Sequence, residues 1–347
     1  MSRKYRVGIL GATGTVGQRF VQLLENHPQL EITALAASDR SAGKPYSQAC
    51  AWKLAGAMPE YVKEIVVEPI EPPLDCDFVF SSLPSGVARD TEEAFARAGF
   101  PVISNSSVYR MDEDVPLLIP EINHEHLGLI ETQRTTRGFG RGFIVTNPNC
   151  AVASFAPPLA ALDRKFGVES VFVTTLQAIS GAGYPGVSSF DITDNVLPYI
   201  AGEEPKVEIE AQKILGKFVD GAIEKADFIV SAQCFRVDVL DGHTASVRVK
   251  LRQTSTLEEV FEAFRTFPSL NLHSSPEHFM EVCDEPSRPQ PRLDRDNGKG
   301  MTVTVGRLFP DNIFDYRFVS LSHNTVRGAA GSAILNAELL IDKGFFK

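Results

Sequence analysis

The chain has 347 residues, more than a single hydrophobic core usually organises, so two domains are expected; its 43% hydrophobic and 22% charged residues are ordinary for a globular protein. A formal net charge of −10 disfavours nucleic acids and anionic membranes as partners. No apolar run approaches the roughly 18 residues of a membrane span, which argues against an integral membrane protein.

The beginning of the chain and its cysteines both favour a cytosolic protein. The sequence MSRKY runs directly into an apolar strand pattern, without the h-region and cleavage site of a secretory signal. The cysteines are odd in number, widely spaced and free of any CxxC pair, so neither a disulfide framework nor a zinc site is expected. They are Cys50, Cys76, Cys150, Cys234 and Cys283.

The first half of the chain alternates between short apolar strands and helical patterns. Strands are predicted at 5–10, 31–37, 76–81 and 101–104, with helices at 18–26 and 90–98. This alternation predicts a Rossmann-like α/β domain, in which a doubly wound parallel sheet has helices on both faces.

After the strand at 143–146 the predicted strands become longer and richer in β-branched residues. They lie at 170–178, 228–237, 244–252 and 301–308, and they predict an α+β domain with one mixed, largely antiparallel sheet. Helices are expected at 207–215 and 257–264, the second opened by a capping box at Ser255 and Glu258. A final helix at 325–343 could return to the first domain. We therefore predict a first domain of residues 1–149 with 324–347, and a second of residues 150–323.

The first strand leads into a glycine-rich turn, GATGTVG at 11–17, which opens the first helix. Glycines at this place let the backbone approach a pyrophosphate, and the N–H groups and dipole of the helix attract its charge. The GxxGxxG spacing is less specific than GxGxxG, and a tight turn that only packs the helix is the alternative. The candidate cofactor contacts are Gly11, Thr13, Gly14, Thr15 and Val16.

The end of the second strand favours NADP over NAD. An enzyme for NAD usually has an acidic residue here for the ribose 2′-hydroxyl, whereas a 2′-phosphate requires arginine and hydroxyl donors. Ser38, Arg40 and Ser41 fit the phosphate. Asp39 is the exception, since it would accept NAD if its side chain faced the ribose, but it is equally well explained as a turn residue.

A candidate nucleophile follows the strand at 143–146. Cys150 ends the sequence TNPNC and precedes an apolar segment that could begin a helix. A helix N-terminus stabilises a thiolate, which is the nucleophilic form of cysteine. An isolated cysteine is more often a small core residue, but the Asn-Pro-Asn setting favours catalysis.

The proton partner of this thiol must come from elsewhere in the sequence. His243 is the best candidate because it follows Gly242 at the start of a predicted strand, and a reactive thiol needs a group that manages its protons. His323 is interpreted as a structural or cofactor-contact residue. The remaining histidines have polar neighbours and are predicted to be exposed; they are His27, His124, His126, His273 and His278.

Seven motifs in order resemble the aspartate-semialdehyde dehydrogenase family, in particular its archaeal and fungal branch, over essentially the whole chain. They are GATGTVG at 11–17, SAGKPY at 41–46, SNSS at 104–107 with Arg110 downstream, NPNC at 147–150, QAISGAGYPG at 177–186, GH at 242–243 and HNTVRGAAG at 323–331. The resemblance implies a catalytic and dimerisation domain, NADPH, and a homodimer or homotetramer. It also implies reduction of 4-phosphoaspartate to aspartate 4-semialdehyde with release of phosphate, a step in lysine, methionine and threonine biosynthesis.

The resemblance further assigns roles to matching positions. Cys150 would form the acyl thioester, His243 would act as acid and base, and Gln177 would orient the thioester, with Asn149 beside the nucleophile. The other implied contacts are Arg236 for the substrate carboxylate, Glu210 for its ammonium, Asn105, Ser106, Arg110 and Lys213 for the phosphate, and Ser82, Ser180, Gly181 and Asn324 for the cofactor. Glu210 and Lys213 lie in a charged helix, where a solvated surface is the alternative. For 180–183 and 324–331 the alternative is tight helix packing.

Three other functions compete with this interpretation. A malonyl-CoA reductase resembles the same branch but lacks the Asn-Pro-Asn setting, and an N-acetyl-glutamyl-phosphate reductase is expected to have glycine in place of Asn149. A non-catalytic NADP-binding regulator would have no use for the combination of Cys150, His243, Gln177 and Arg236. A metal has no evident ligand set in the sequence.

Overall fold

A computed structural model describes residues 4–346, and it begins with a five-stranded parallel sheet in the order β2-β1-β3-β4-β5. Its strands are rich in Val, Ile and Phe and are largely buried, as expected for a parallel sheet with helices on both faces. The elements are β1 Tyr5–Leu10, α1 Thr15–Leu23, β2 Leu30–Ala36, α2 Tyr46–Ala49, β3 Phe78–Ser81, α3 Ser85–Arg97, β4 Pro101–Ser104, α4 Pro120–Asn123, α5 Leu129–Arg137 and β5 Phe143–Thr146.

The second domain is built on a seven-stranded mixed sheet in the order β12-β13-β14-β11-β6-β10-β7. Its elements are α6 Val152–Phe166, β6 Val168–Gln177, α7 Ser189–Ile192, β7 Val196–Leu197, α8 Glu203–Ile214, β8 Lys217–Val219, β9 Ala222–Glu224, β10 Ile229–Val237, β11 His243–Leu251, α9 Leu257–Arg265, β12 Met280–Cys283, α10 Pro291–Asp294, β13 Val303–Pro310 and β14 Tyr316–Ser322. Short 3₁₀ turns lie at Glu60–Val62, His124–Gly128, Ile179–Ala182 and Asn297–Gly300. Parallel pairing of β6 with β10 and antiparallel pairing of β6 with β11 make the sheet mixed, as predicted.

The chain ends in a π-helical turn, Val326–Ala330, followed by α11, Gly331–Asp342. The side chains of Ala333, Ile334 and Leu340 belong to the same buried cluster as β1, β3 and β5. The return of the last helix to the first domain is therefore confirmed. The predicted domain limits include residues 1–3 and 347, which lie outside the described residues.

One prediction about local structure needs correction, and several elements were not predicted. The capping box of α9 is formed by Thr256 and Glu259, one residue later than Ser255 and Glu258, because Ser255 donates its hydroxyl to Tyr316 instead. Strands β12 and β14 and helices α4 and α5 were not predicted at all. Within residues 4–346, no helix has the length and apolar character needed to cross a membrane.

Candidate active site

Three predicted site residues meet at one edge of the mixed sheet. Gln177 ends β6, and Arg236 is its register partner on the parallel strand β10. His243 begins β11, whose next residue pairs with the residue before Gln177. Because β6 and β10 end where the antiparallel β11 begins, residues that are far apart in sequence converge here.

Cys150 approaches this edge from the loop between β5 and α6. Asn149 holds the loop, because its Oδ1 accepts from the backbone N–H of Ala151 at 2.7 Å, directly before α6 begins. The π-helical turn closes the loop from behind, and a Cβ at Gly328 would lie 2.7 Å from the Cβ of Cys150. Only glycine fits at this position without displacing the nucleophile.

The thiol and the imidazole are paired. The Sγ of Cys150 lies 3.1 Å from Nε2 of His243, and the backbone N–H of Ala178 donates to Nδ1 at 3.0 Å. Since Nδ1 accepts this hydrogen bond, the neutral ring carries its proton on Nε2, which then points at the sulfur. Burial, with a contribution from Arg236, lowers the pKa of His243 to about 3, so the ring is neutral at physiological pH.

The surroundings of the Cys150 thiol favour its protonated form. Burial raises the pKa of the Cys150 thiol to about 12, with a further upward contribution from the carboxylate of Glu203, while Arg110 and Arg236 oppose it. The dipole at the start of α6 is therefore insufficient by itself.

Arg236 is a buried guanidinium without an ionic partner among residues 4–346. Its Nη1 donates to the carbonyl of Ala178 at 2.8 Å, and burial lowers its pKa. A Cβ at Gly181 would lie 2.9 Å from that Nη1 and 3.0 Å from Nε2 of His243, so Gly181 forms a wall of the site. A buried and uncompensated arginine beside a nucleophile is suited to bind a substrate carboxylate.

Glu210 and Lys213 are buried rather than solvated, which excludes the alternative of an exposed helix face. Glu210 pairs with Arg110 at 3.0 Å and accepts from the backbone N–H of Asn149 at 2.6 Å. Lys213 donates to the carbonyls of Arg110, Asp112 and Val115, and burial lowers its pKa to about 8. All three ammonium protons of Lys213 are thus used by the protein in this state.

The predicted phosphate residues lie together around Arg110. Its Nη2 donates to the carbonyl of Asn105 at 2.8 Å. The hydroxyl of Ser106 and the Nε of Arg110 are both buried and lack hydrogen-bond partners within the described chain. Orphaned polar atoms of this kind are what an anion pocket presents before its ligand binds.

A groove of about 630 Å³ crosses the carboxyl ends of the first sheet. The glycine-rich turn lines it through Gly11, Thr13, Gly14 and Thr15, and Ser82 faces them. A Cβ at Gly11 would lie 3.0 Å from the carbonyl and hydroxyl oxygens of Ser82, so a side chain there would fill the cradle. The groove therefore fits a pyrophosphate at a helix N-terminus.

The far end of this groove fits a 2′-phosphate better than a 2′-hydroxyl. Ser38 and Arg40 line it, whereas Asp39 does not. Ser41 and Val16, which were also predicted to contact the cofactor, are absent from its lining. Their backbones instead belong to the turn after β2 and to α1.

A second cavity of about 500 Å³ continues the groove towards the second domain, and Ser180 and His323 line it. Asn324 lies next to this cavity, because its Nδ2 donates to the hydroxyl of Ser180 at 2.8 Å and its Oδ1 accepts from the backbone N–H of Gly242 at 2.8 Å. Asn324 thus connects the cofactor side of the site to the residue preceding His243.

Two of the five histidines predicted to be exposed are buried. His27 pairs with Glu338 of α11 at 2.8 Å, and His126 contacts the carbonyl of Gly216 at 3.0 Å. Both partners are distant in sequence, so local polarity could not reveal the burial.

The sequence reasoning missed several residues that line or face the site. Glu203 is buried and accepts from Nδ2 of Asn149 at 2.8 Å, and Lys53 and Tyr184 line both cavities. Tyr184 lies within the quoted QAISGAGYPG motif, which was a usable signal. Glu203 and Lys53 had no such signal, because charged residues in helices and loops are usually solvated.

Comparisons with known proteins extend over both domains. Family models described as "Semialdehyde dehydrogenase, NAD binding domain" and "Semialdehyde dehydrogenase, dimerisation domain" match residues 6–130 and 159–327. An aspartate-semialdehyde dehydrogenase of Archaeoglobus fulgidus is 53% identical over 97% of this chain and 98% of its own length. One of Aspergillus fumigatus is 52% identical over 99% of this chain and 98% of its own length. A crystal structure of the Candida albicans enzyme with NADP superimposes with a TM-score of 0.90 at 43% identity, covering 99% and 100% of the two chains.

Proposed function

The chain belongs to the aspartate-semialdehyde dehydrogenase family, and we propose that it forms its product through a thioester on Cys150. It is an NADP-dependent oxidoreductase of amino-acid biosynthesis, which reduces 4-phosphoaspartate to aspartate 4-semialdehyde and phosphate.

In the first step, Arg236 binds the α-carboxylate of the substrate and the cluster around Arg110 and Ser106 binds its phosphate. The thiol of Cys150 attacks the acyl carbon as its proton passes to the phosphate group, the C–O bond to phosphate breaks, and inorganic phosphate leaves with the electron pair and that proton. Glu210 supports the attack by fixing the backbone of Asn149 and the guanidinium of Arg110.

In the second step, the thioester carbon accepts a hydride, which NADPH would supply if held in the groove by the glycine-rich turn and Ser82. The oxygen of the resulting thiohemiacetal needs hydrogen-bond donors, and His243 offers its Nε2–H beside the sulfur. Collapse of this adduct breaks the C–S bond, releases the aldehyde and restores the sulfur of Cys150. Gly181 leaves room for the reacting centre between His243 and Arg236.

The contact between Cys150 and His243 next to the unpaired Arg236 carries this proposal. The test is the reverse reaction, in which reduction of NADP is followed with aspartate semialdehyde and phosphate, and in parallel with malonate semialdehyde and CoA. We expect turnover that depends on phosphate. Turnover only with CoA would instead assign the chain to the malonyl-CoA reductase reaction.

We propose that the mixed sheet forms a homodimer, as the name of the matching dimerisation domain suggests. One face of the sheet packs on α6, α8 and α9. The other presents partly exposed residues on neighbouring strands, including Phe172, Leu176, Phe235 and Val319. Light scattering should give twice the chain mass of 38.0 kDa, and a monomer at micromolar concentration would contradict the proposal.

We also propose that the protein is located in the cytosol. All five cysteines are free thiols, which is typical of proteins from a reducing compartment. Cell fractionation that recovered the enzyme in an oxidising compartment would contradict it.

A further inference from the structure

The groove at the glycine-rich turn and the second cavity adjoin each other. Three residues line both: Thr15, Lys53 and Tyr184. Lys53 belongs to the first domain and Tyr184 to the loop after β6 of the second. The Nζ of Lys53 lies 4.6 Å from the centre of the Tyr184 ring, so the pair crosses the groove from one domain to the other.

The side chains of this pair have no stronger partner. Within residues 4–346, neither the ammonium of Lys53 nor the hydroxyl of Tyr184 takes part in a hydrogen bond or an ion pair. Both side chains are exposed, Tyr184 to 67%. A cation above an exposed aromatic ring is a weak contact, and an anion that entered the groove would compete for the ammonium successfully.

The backbone of Lys53, in contrast, is firmly attached to the glycine-rich turn. Gln18 is buried in α1, and its Oε1 accepts from the N–H of Lys53 at 2.7 Å. The Nε2 of Gln18 donates to the carbonyl of Thr13 at 3.0 Å and more weakly to Ala51 at 3.3 Å. One buried amide thus fixes the Lys53 segment to the turn suited to a pyrophosphate.

The other basic side chains that line the two cavities either lie at the far end of the groove or already donate hydrogen bonds to the protein. Arg40 lies near Ser38 at the far end of the groove. Arg19 donates to the hydroxyl of Thr325 and to Gln22, and Arg295 donates to the carbonyl of Asp241. Lys53 is the remaining lining cation, and it stands between the two ends of the groove.

We propose that Lys53 and Tyr184 form an interdomain clasp over the cofactor pyrophosphate. The ammonium of Lys53 moves from the ring to the pyrophosphate when NADP enters, and the ring of Tyr184 covers the bound diphosphate from the second domain. The inference rests on NADP as the cofactor and does not depend on the thioester chemistry at Cys150.

Trp52, the single tryptophan of the chain, directly precedes Lys53, so its fluorescence is the readout for cofactor binding without turnover. Energy transfer from Trp52 to NADPH is titrated in a Cys150→Ser background, so that the thioester proposal and the clasp are tested separately. The variants are Lys53→Met, Tyr184→Leu and Tyr184→Phe. The matched controls are Lys63→Met and Tyr199→Leu, since Tyr199 is 69% exposed and neither residue lines the two cavities.

We expect Lys53→Met to raise the Kd of NADPH about tenfold, the scale of one hydrogen bond to a charged group, and to make that Kd less dependent on salt. Tyr184→Leu should raise the Kd while Tyr184→Phe and the controls leave it unchanged, because the ring and not the hydroxyl is required. The Kd of adenosine 2′-phosphate, which lacks a pyrophosphate, is obtained by competition and should be the same for wild type and Lys53→Met. An unchanged Kd for Lys53→Met, or an equal loss for adenosine 2′-phosphate, would overturn the proposal.

Discussion

Replacement of Cys150 by serine should lower the phosphate-dependent reduction of NADP by roughly 10⁴-fold or more, the scale at which loss of a nucleophile acts in acyl-transfer enzymes. A serine hydroxyl is far less acidic than a thiol and is a poorer leaving group when the adduct collapses. The neutral His243 cannot compensate, because its Nε2 already carries the proton in this structure. The measurement is the initial rate with aspartate semialdehyde, phosphate and NADP.

Cys283→Ser is the matched control, because Cys283 is also partly exposed but lies on β12, away from the site. It should retain wild-type activity. The Kd of NADPH for Cys150→Ser should also equal that of wild type, which shows that the fold is intact. Activity of Cys150→Ser within tenfold of wild type would remove Cys150 from the chemistry.

The parallel sheet was the most predictable part of the fold. Strands β1, β4 and β5 have the predicted bounds, because short runs of Val, Ile and Phe between turn residues are typical of buried parallel strands. Strands β12 and β14 were missed, since each follows a polar loop and is fixed by strand pairing, β12 with β13 and β14 with both β13 and β11. Local sequence patterns predict which residues are buried better than they predict which strands pair.

The candidate site shows the same division. The sequence could single out Cys150 and His243 by chemistry, but they are 93 positions apart and are brought together only by the register of β6, β10 and β11. The sequence could not reveal that the ammonium group of Lys213 donates hydrogen bonds to three backbone carbonyls, because backbone acceptors have no sequence signature. The resemblance assigned His243 the roles of both acid and base, because the hydrogen bond from the backbone of Ala178 that separates the two roles has no sequence signature either.

The geometry favours His243 as a hydrogen-bond donor rather than as a base for the resting thiol. To accept a proton on Nε2, the ring would have to carry its other proton on Nδ1, facing the N–H of Ala178 that now donates to it. Burial and the nearby Arg236 oppose the cationic ring as well, and they lower the pKa of His243 to about 3. A neutral imidazole with a fixed Nε2–H can still stabilise an oxyanion in the transition state.

We therefore expect His243→Ala to lower kcat by roughly 10²- to 10⁴-fold, the usual range for a lost proton-transfer or donor group, with a smaller change in KM. His243→Gln, which keeps an N–H donor, should recover part of the loss. Gly181→Ala is not a suitable control, because its Cβ would contact both His243 and Arg236.

The pH dependence of thiol alkylation separates the two roles of His243. If the imidazole stays neutral, the rate at which iodoacetamide modifies Cys150 should rise continuously with pH, without an inflection between about pH 5 and pH 8, where an ordinary histidine titrates. The direction follows from the raised pKa of Cys150, since the thiolate fraction grows as pH increases towards that value. His243→Ala should show a profile of the same shape. An inflection near neutral pH in wild type that disappears in His243→Ala would mean that His243 takes the proton of the thiol, and the donor role would then be wrong.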